Sequence, residues 1–502
     1  MEYYLGIDMG TTNVKAALFT ADASMAAFWS EPTPIIHPIE GWSEFEPIEL
    51  WRVLCRCIQK VVKETGASEI VSAGISSLGE SGVLTDAGGH PLTNFIAWYD
   101  PRAKQEIEEL KQKLGKDRIY SITGQTPSDK YGICKLLWIK RHFPEVYAEA
   151  CHWLSVEDWV LYKLTGNYAT DYSIASRTMA FDIGKLQWSE EILGAAGMKG
   201  ELFPEVLPGG TFVGGVTQEA AEQTGLTGGM PVSAGGHDHA CAAVAVNIFE
   251  PGVVLDSMGT AEVSMAAVEE PLLNGEALEK FYSFYPHCGP KLYRVITSNQ
   301  SCGAAVEWYL NTIGEGGRYR ALSSGKSEYD WMAEEAEHNA RQGDKVYFLP
   351  FLRGSVENNQ WRACLWGMDD SHRQGDLIRA VINGICFELK KQVEGYQRLF
   401  HQSFDQVRVV GGLANSEFIM KQKSRIQGAD IEVPACVQAA CCGAALLGAV
   451  GAGKQNLKEL GQIYRCGRRY PAENAEGLLE EYQSYLKLRE GFKELYNRIG
   501  EA

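Results

Sequence analysis

The chain opens on an apolar run, Tyr3 to Ile7, followed by Asp8-Met9-Gly10-Thr11-Thr12-Asn13 and a second apolar run from Val14 to Phe19. Two short apolar runs around turn-forming residues predict a β-hairpin. About half the chain later the plan recurs. Val253 to Leu255 is apolar, Asp256-Ser257-Met258-Gly259-Thr260 is turn chemistry, and Val263 to Val268 is apolar again. Met-Gly-Thr occurs in both turns, with an aspartate just upstream in each. A shared tripeptide, matching flanks and half-length spacing together predict a duplicated domain. Pro251-Gly252 punctuates the chain between the copies, so the expected domains are 1–247 and 248–502.

Between and after the hairpins, strand and helix patterns mix. Ile70 to Ile75 reads as a buried strand ending in a Ser/Gly-rich loop, Ser76 to Gly82. Trp153 to Leu164 reads as a helix stopped by Thr165-Gly166. Asp376 to Leu389 carries Leu377, Val381, Ile382, Ile385 and Leu389 on one helical face. Val407 to Val410, apolar except for Arg408, is a short strand running into Gly411-Gly412. A last helix, Glu476 to Ile499, is expected on the outside of the second domain. The class is α/β.

Bulk properties narrow the function. The 502 residues exceed one ordinary core and fit two large domains. A formal net charge of −17 with no basic run excludes a nucleic-acid face. No run of about 20 apolar residues is present to span a membrane, and the first residues lack the pattern of a signal peptide. The thirteen cysteines form no pair of CxxC elements and read as reduced thiols of a cytoplasmic protein. The adjacent Cys441 and Cys442 lie in a small-residue helix, where core thiols are common.

The first turn has the chemistry of a phosphate site. Gly10 lets backbone N–H groups converge, and Thr11, Thr12 and Asn13 add side-chain donors. Asp8 beside such a site is repulsive unless a cation lies between, which implies Mg²⁺. Lys15 is placed to neutralise a phosphate oxygen. A plain hairpin with satisfied turn hydrogen bonds is the bland alternative; the recurrence at Gly259 and Thr260 favours function. Neither the Walker A pattern nor GxGxxG is present.

Gly6 to Lys15 resembles the first phosphate motif of the actin/hexokinase/Hsp70 superfamily. Further matches resemble the FGGY carbohydrate kinases, over nearly the whole chain. Gly41-Trp42-Ser43-Glu44 with Pro47 is similar to "GWxExxP", and Trp98-Tyr99-Asp100-Pro101-Arg102 to "WxDxR". Leu164-Thr165-Gly166, Asp171, Ala175-Ser176 and Asp182 are similar to "LTG…D…AS…D". Ala363 to Ile382 fits the C-terminal signature, with Asn383 where an acidic residue is usual; Lys135 to Ile139 meets the N-terminal signature only in part. The resemblance implies two actin-like, ribonuclease H-like domains with a deep cleft between them. The first would bind sugar and phosphate and the second nucleotide, and closure would exclude water. It also implies ATP and Mg²⁺, and a small sugar or polyol as substrate; a homodimer is allowed but not specified.

Transfer to an alcohol needs a base for the hydroxyl proton. Gly235-Gly236-His237-Asp238-His239 supplies Asp238, on which the family's catalytic aspartate falls. Asp238 also fits an N-cap for a helix from Ala240 to Val246. His237 and His239 form an H-x-H pair, but a closed metal site needs more ligands; His239 reads better as a contact to a substrate hydroxyl.

The loop Ser76 to Glu80 replaces the "QMHG" of xylulokinases, and Glu80 stands where glycerol kinase has the glutamate of "QRE". Leu78 and Gly79 depart from both. Glu80 would accept from adjacent hydroxyls, Asp100 and Arg102 would add an acceptor and a donor, and Trp98 would pack on the carbon chain. The bland reading leaves Trp98 in the core and Asp100–Arg102 as a surface pair. Gly303, Gly412 and Asn415 fall on the adenosine-binding segments of the resemblance. The rival class is an ATP-gated binding or regulatory protein, which shares the phosphate turns but not the sugar-loop matches. A second rival is a catalytically silent sugar-binding paralogue, against which Asp8 and Asp238 speak.

Overall fold

The computed structural model describes residues 1–288, 292–338, 345–473 and 476–500. The chain folds into two compact units. The first comprises Met1–Phe249, Ala267–Val295 and Cys436–Arg465; the second comprises Glu250–Ala266, Ile296–Ala435 and Cys466–Ala502. The first break lies beside the expected boundary at 247. The later segments 267–295 and 436–465, however, pack with the first unit rather than with the second half of the sequence.

In the first unit, β1 (Tyr3–Met9), β2 (Asn13–Phe19), β3 (Met25–Pro32), β4 (Ile70–Ser77), β5 (Phe212–Gly215) and β6 (Pro231–His237) form a sheet in the order β5-β6-β4-β1-β2-β3. β1 runs antiparallel to β2 and parallel to β4, and β4 runs parallel to β6. In the second unit, β7 (Val253–Met258), β8 (Glu262–Val268), β9 (Tyr293–Asn299), β10 (Gln406–Val410), β11 (Asp430–Pro434) and β12 (Cys466–Tyr470) run in the order β9-β8-β7-β10-β11-β12. β7 is antiparallel to β8 and parallel to β10, which is parallel to β11. The two orders correspond strand for strand, so the repeated Met-Gly-Thr marks a repeated sheet.

Helices cover these sheets. In the first unit, α1 (Pro47–Thr65) buries Leu50, Leu54, Ile58 and Val61 at helical spacing against β2 and β3. Trp153 begins not a helix but a strand, His152–Ser155, because it pairs with Gly82–Thr85. The helix α2 (Val156–Thr165) starts after Ser155, whose backbone N–H is bound by Asp158, a capping box. α3 (Asp238–Ala245) follows β6 directly.

In the second unit, α4 (Gly303–Asn311), α5 (Gln374–Phe400) and α6 (Glu417–Gln427) flank the sheet. α5 runs well beyond the expected Leu389. The unusual Asn383 on it is bound on both sides, donating to Glu481 and accepting from Gln422.

The small-residue helix α7 (Ala439–Gly451) returns to the first unit and lies against β1, β4, β6 and α3. Its approach is backbone to backbone. A Cβ at Gly6 would lie 1.9 Å from the Cys441 carbonyl oxygen, and one at Gly74 would lie 2.0 Å from that of Ala444. Cys441 and Cys442 are buried there, and burial pushes both thiols up, helped at Cys442 by its contact with Cys436. All thirteen cysteines are free. α8 (Glu476–Gly500) buries Tyr482 and Tyr485 but exposes Leu479 and Leu495. Among the described residues no helix is long and apolar enough to cross a membrane.

Candidate active site

Register brings the first unit's polar groups to one edge of its sheet. On β1, Asp8 stands opposite Lys15 of β2 and beside Ser76 of β4, and His237 ends β6 beside Ser77. Lys15 Nζ meets Asp8 Oδ2 at 3.0 Å, and Ser76 Oγ donates to Oδ1 at 3.4 Å. Burial raises the Asp8 carboxyl; Lys15 opposes that, and the nearby charge of Asp238 adds to it. Asp8 and Asp238 therefore feel one another across a common space.

The turn itself is braced. Gly10 N–H donates to the Asn13 carbonyl at 3.0 Å, and Thr33 bonds the carbonyls of Gly10 and Thr12. Thr12 is exposed and Asn13 half-buried. Trp98 is 39% exposed, not a core residue, and its indole Nε1 donates to Thr11 Oγ1 at 3.1 Å. With Oγ1 used as acceptor, the Thr11 hydroxyl proton is free to donate outward. Buried Lys135 donates to the carbonyls of Trp98 and Lys130. Burial brings its pKa down to about 8, against the pull of Glu80.

Asp100 and Arg102 are not surface groups, nor do they offer themselves to a substrate. Asp100 accepts from the backbone N–H of Ser43 at 2.7 Å and from Arg102 Nε and Nη2 at 2.8 and 2.7 Å. Arg102 also binds Glu44 and lies 3.8 Å over the Trp42 ring. Burial opposes ionisation of Asp100, but these hydrogen bonds hold its carboxyl below the usual range. The pair is a saturated clamp that fastens the Gly41–Glu44 segment to the Trp98 loop. The expectation of substrate contact is corrected on that ground.

Glu80 keeps its expected place in the pocket. It is buried, and its φ of +64° is left-handed, a costly conformation for a residue with a side chain. Its Oε1 lies 3.4 Å from Arg177 Nη1. Arg177 went unnoticed in the sequence because its partners are distant in the chain: Glu80, His237 and the ring of Tyr285, 4.5 Å below the guanidinium. Tyr285 in turn meets the Tyr131 hydroxyl at 3.1 Å.

Asp238 is the first residue of α3, and the N-cap is His237, not Asp238. Asp238 Oδ1 accepts from His239 N–H at 2.5 Å and lies 2.9 Å from His237 Nδ1. Burial opposes its ionisation, but His237, His239 and Arg177 hold the carboxyl far below the ordinary range. Gly235 and Gly236 serve packing rather than ligand approach. A Cβ at 235 would lie 2.0 Å from the Ile75 carbonyl, and one at 236 would lie 2.6 Å from Ser173 Oγ. His237, Asp238 and His239 place ligand-type atoms within 4.8 Å of one another. Both nitrogens of His237 are already engaged, by Arg177 and Asp238, so the histidine pair does not form a metal site by itself.

The second turn is built differently. Its aspartate, Asp256, is fully buried with Glu262 around Lys423 of α6; Lys423 contacts both, Glu262 at 2.9 Å. The turn is roofed by α4, whose first N–H groups bond back to the carbonyls of Gly259 and Thr260. A Cβ at Gly303 would lie 2.6 Å from the Gly259 oxygen, and one at Gly411 would lie 2.3 Å from that of Met258. Gly412, next to them, faces open space. The carbonyls of Ala414 and Asn415 accept from Arg468. Gly259, Thr260, Gly303, Gly412 and Asn415 thus lie along one side of the second unit's sheet.

Two family descriptions match this chain: the N-terminal domain of the FGGY family of carbohydrate kinases over residues 3–245 and its C-terminal domain over residues 255–452. The chain belongs to the FGGY carbohydrate kinases. The FGGY match extends to whole relatives. A xylulose kinase of Escherichia coli is 27% identical over 503 residues, covering 99% of each chain. An L-xylulose/3-keto-L-gulonate kinase of the same organism is 27% identical over 509 residues, covering 100% of this chain and 99% of that one. The crystal structure of xylulose kinase from Rhodospirillum rubrum superposes with a TM-score of 0.88 at 23% identity, over 99% of this chain and 100% of that one. The FGGY chain is thus a sugar kinase of the actin-like fold, in a family that uses ATP as phosphate donor.

Proposed function

We propose that this kinase transfers the γ-phosphoryl group of ATP to a hydroxyl of a small ketose, aldonate or alditol, with Asp238 as the general base. The observation that carries the reading is the Asp238 carboxylate. Its Oδ1 is fully bonded, and among the described residues no hydrogen bond reaches Oδ2. Oδ2 is left to accept the proton of the acceptor hydroxyl as that oxygen attacks phosphorus in line and the ADP oxygen leaves. A carboxylate this firmly ionised is a weak base. It suffices where the transition state is loose and the proton moves late.

Glu80, on its strained turn, accepts from neighbouring hydroxyls of the acceptor, and His239 offers a further polar contact. The Thr11–Asn13 turn and Lys15 donate to the phosphates. The second unit's turn, with Gly303, Gly412 and Asn415, holds the nucleotide. Asp8 fits a magnesium ion, because it is a buried carboxylate facing a second carboxylate, an oxygen-only donor set that suits a hard cation. Mg²⁺ bound there would offset phosphate charge. The relatives' names include xylulose and 3-keto-L-gulonate, which directs the acceptor search towards ketoses and sugar acids.

The test is ADP release over pentuloses, hexuloses, aldonates, tetritols and glycerol, with Asp238→Asn in parallel. One class should stimulate release strongly, and the variant should bind ATP without transfer. Stimulation by none, or a fully active variant, refutes the reading.

A further inference from the structure

Arg177 and His237 have no part in the reaction as described so far, yet both lie beside its base. Arg177 Nη2 is 2.9 Å from His237 Nε2. A guanidinium has only donors, so Nε2 must be the acceptor and carries no proton. The neutral ring then holds its proton on Nδ1, which is 2.9 Å from Asp238 Oδ1. The His239 N–H lies 3.2 Å from that nitrogen but 2.5 Å from Oδ1, so it bonds the carboxylate and leaves Nδ1 free to donate.

The pair is held in place from several sides. Gly79 makes room for it: a Cβ there would lie 2.8 Å from both Arg177 Cγ and His237 Cδ2. The guanidinium is fixed by Glu80 and by the Tyr285 ring. The His237 backbone N–H donates to Ser173 Oγ, which donates to Asp171.

We propose that Arg177 and His237 form a positioning relay: Arg177 fixes the His237 proton on Nδ1, and that N–H holds Asp238 Oδ1 so that Oδ2 faces the acceptor. The proposal rests on Asp238 being the base. It gives Arg177 two separable duties, one on Asp238 through His237 and one on Glu80 directly. Loss of Arg177 should therefore act on kcat through the first and on the acceptor KM through the second.

A pH signature follows. Burial, then the Arg177 charge, bring His237 down to about 4, so the neutral tautomer persists through neutral pH. The charged and titratable groups facing the ring are Arg177, Asp238 and His239, with Glu80 beyond Arg177 and Asp171 behind Ser173. Without Arg177 the neutral ring can move its proton to Nε2, and Asp238 loses a donor. Below the risen pKa the ring carries both protons and donates again.

The tautomer is read directly by ¹⁵N-histidine NMR on the full chain, with His237 assigned by its loss in His237→Asn. The expected result is Nδ1–H from pH 5.5 to 8 in the native chain, and Nε2–H or a titrating ring in Arg177→Met. Kinetics on the best acceptor of the panel should show kcat down on the order of tenfold to hundredfold at pH 7.5, with partial recovery towards pH 5.5. Asparagine at 237 keeps a donor near Oδ1, so in that background Arg177→Met should still raise KM while losing most of its kcat effect. Arg177→Lys, which can serve His237 or Glu80 but not both, guards against a misfolded methionine variant and should fall between. A native His237 carrying its proton on Nε2, or an equal kcat loss with His or Asn at 237, overturns the relay. Full activity of Asp238→Asn would instead overturn the base assignment beneath it.

Discussion

Lys423 is the sharpest place to test the second turn. Its ammonium is fully buried between Asp256 and Glu262, also fully buried, at the two ends of the turn that carries Gly259 and Thr260. Burial raises Glu262 to about 8, against the pull of Lys423, so at neutral pH the cluster holds one proton and one ion pair. Lys423→Met removes the only cation, and both carboxyls must then be protonated. Keeping one more ordinary carboxyl protonated costs 1.36 kcal/mol per unit of pH above its free value of ~3.9, which is about 4 kcal/mol at pH 7 and about 2 at pH 5.5. That agrees with the ~3–5 kcal/mol typical of breaking a buried pair. The sign follows from a raised folded pKa: the folded state binds more protons, so the variant's stability falls as pH rises. Urea denaturation followed by fluorescence at pH 5.5, 7 and 8 should show a midpoint deficit that grows with pH, and ATP KM should rise with it. A deficit that does not change with pH, or none, would refute the account of the cluster.

Other predictions bear on the pocket. Glu80→Gln should raise acceptor KM more than it lowers kcat, read from steady-state kinetics; an equal loss in both would move Glu80 into the transition state. Asp100→Asn should destabilise the fold by about 3 kcal/mol by stranding buried Arg102, leaving kcat of the folded fraction near native by active-site titration. Gly303→Ala places a methyl 2.6 Å from the Gly259 oxygen and should weaken ATP binding by calorimetry while leaving acceptor affinity unchanged.

Much of this architecture can be read from the chain because it is local. The hairpins, their turns and the Asp8–Lys15 pairing follow from alternation and register over a few residues. The non-equivalence of the two turns was also legible, in Ala261 and Glu262 standing where Thr12 and Asn13 stand. Its cause was not, since Lys423 reaches Asp256 from a helix far along the sequence. Arg177 was hidden for the same reason, behind partners on three separate segments. Asp100 and Arg102 show the converse error. A motif that looks like a charged surface is a buried clamp, and only the burial of all its partners distinguishes the two. Gly235 and Gly236 suggested a ligand, but their constraint is the neighbouring strand and helix.

The return of α7 to the first unit also sets a schedule for folding. The β-sheet of residues 3–237 emerges from the ribosome early, but the helix whose backbone seats against Gly6 and Gly74 is made only near residue 451. Through the synthesis of some two hundred intervening residues that face has no covering helix. The nascent first unit must then be held, by chaperones or by delay, until the late segment arrives. Truncation before Ala439 should yield insoluble protein, although it removes none of the residues proposed for the chemistry.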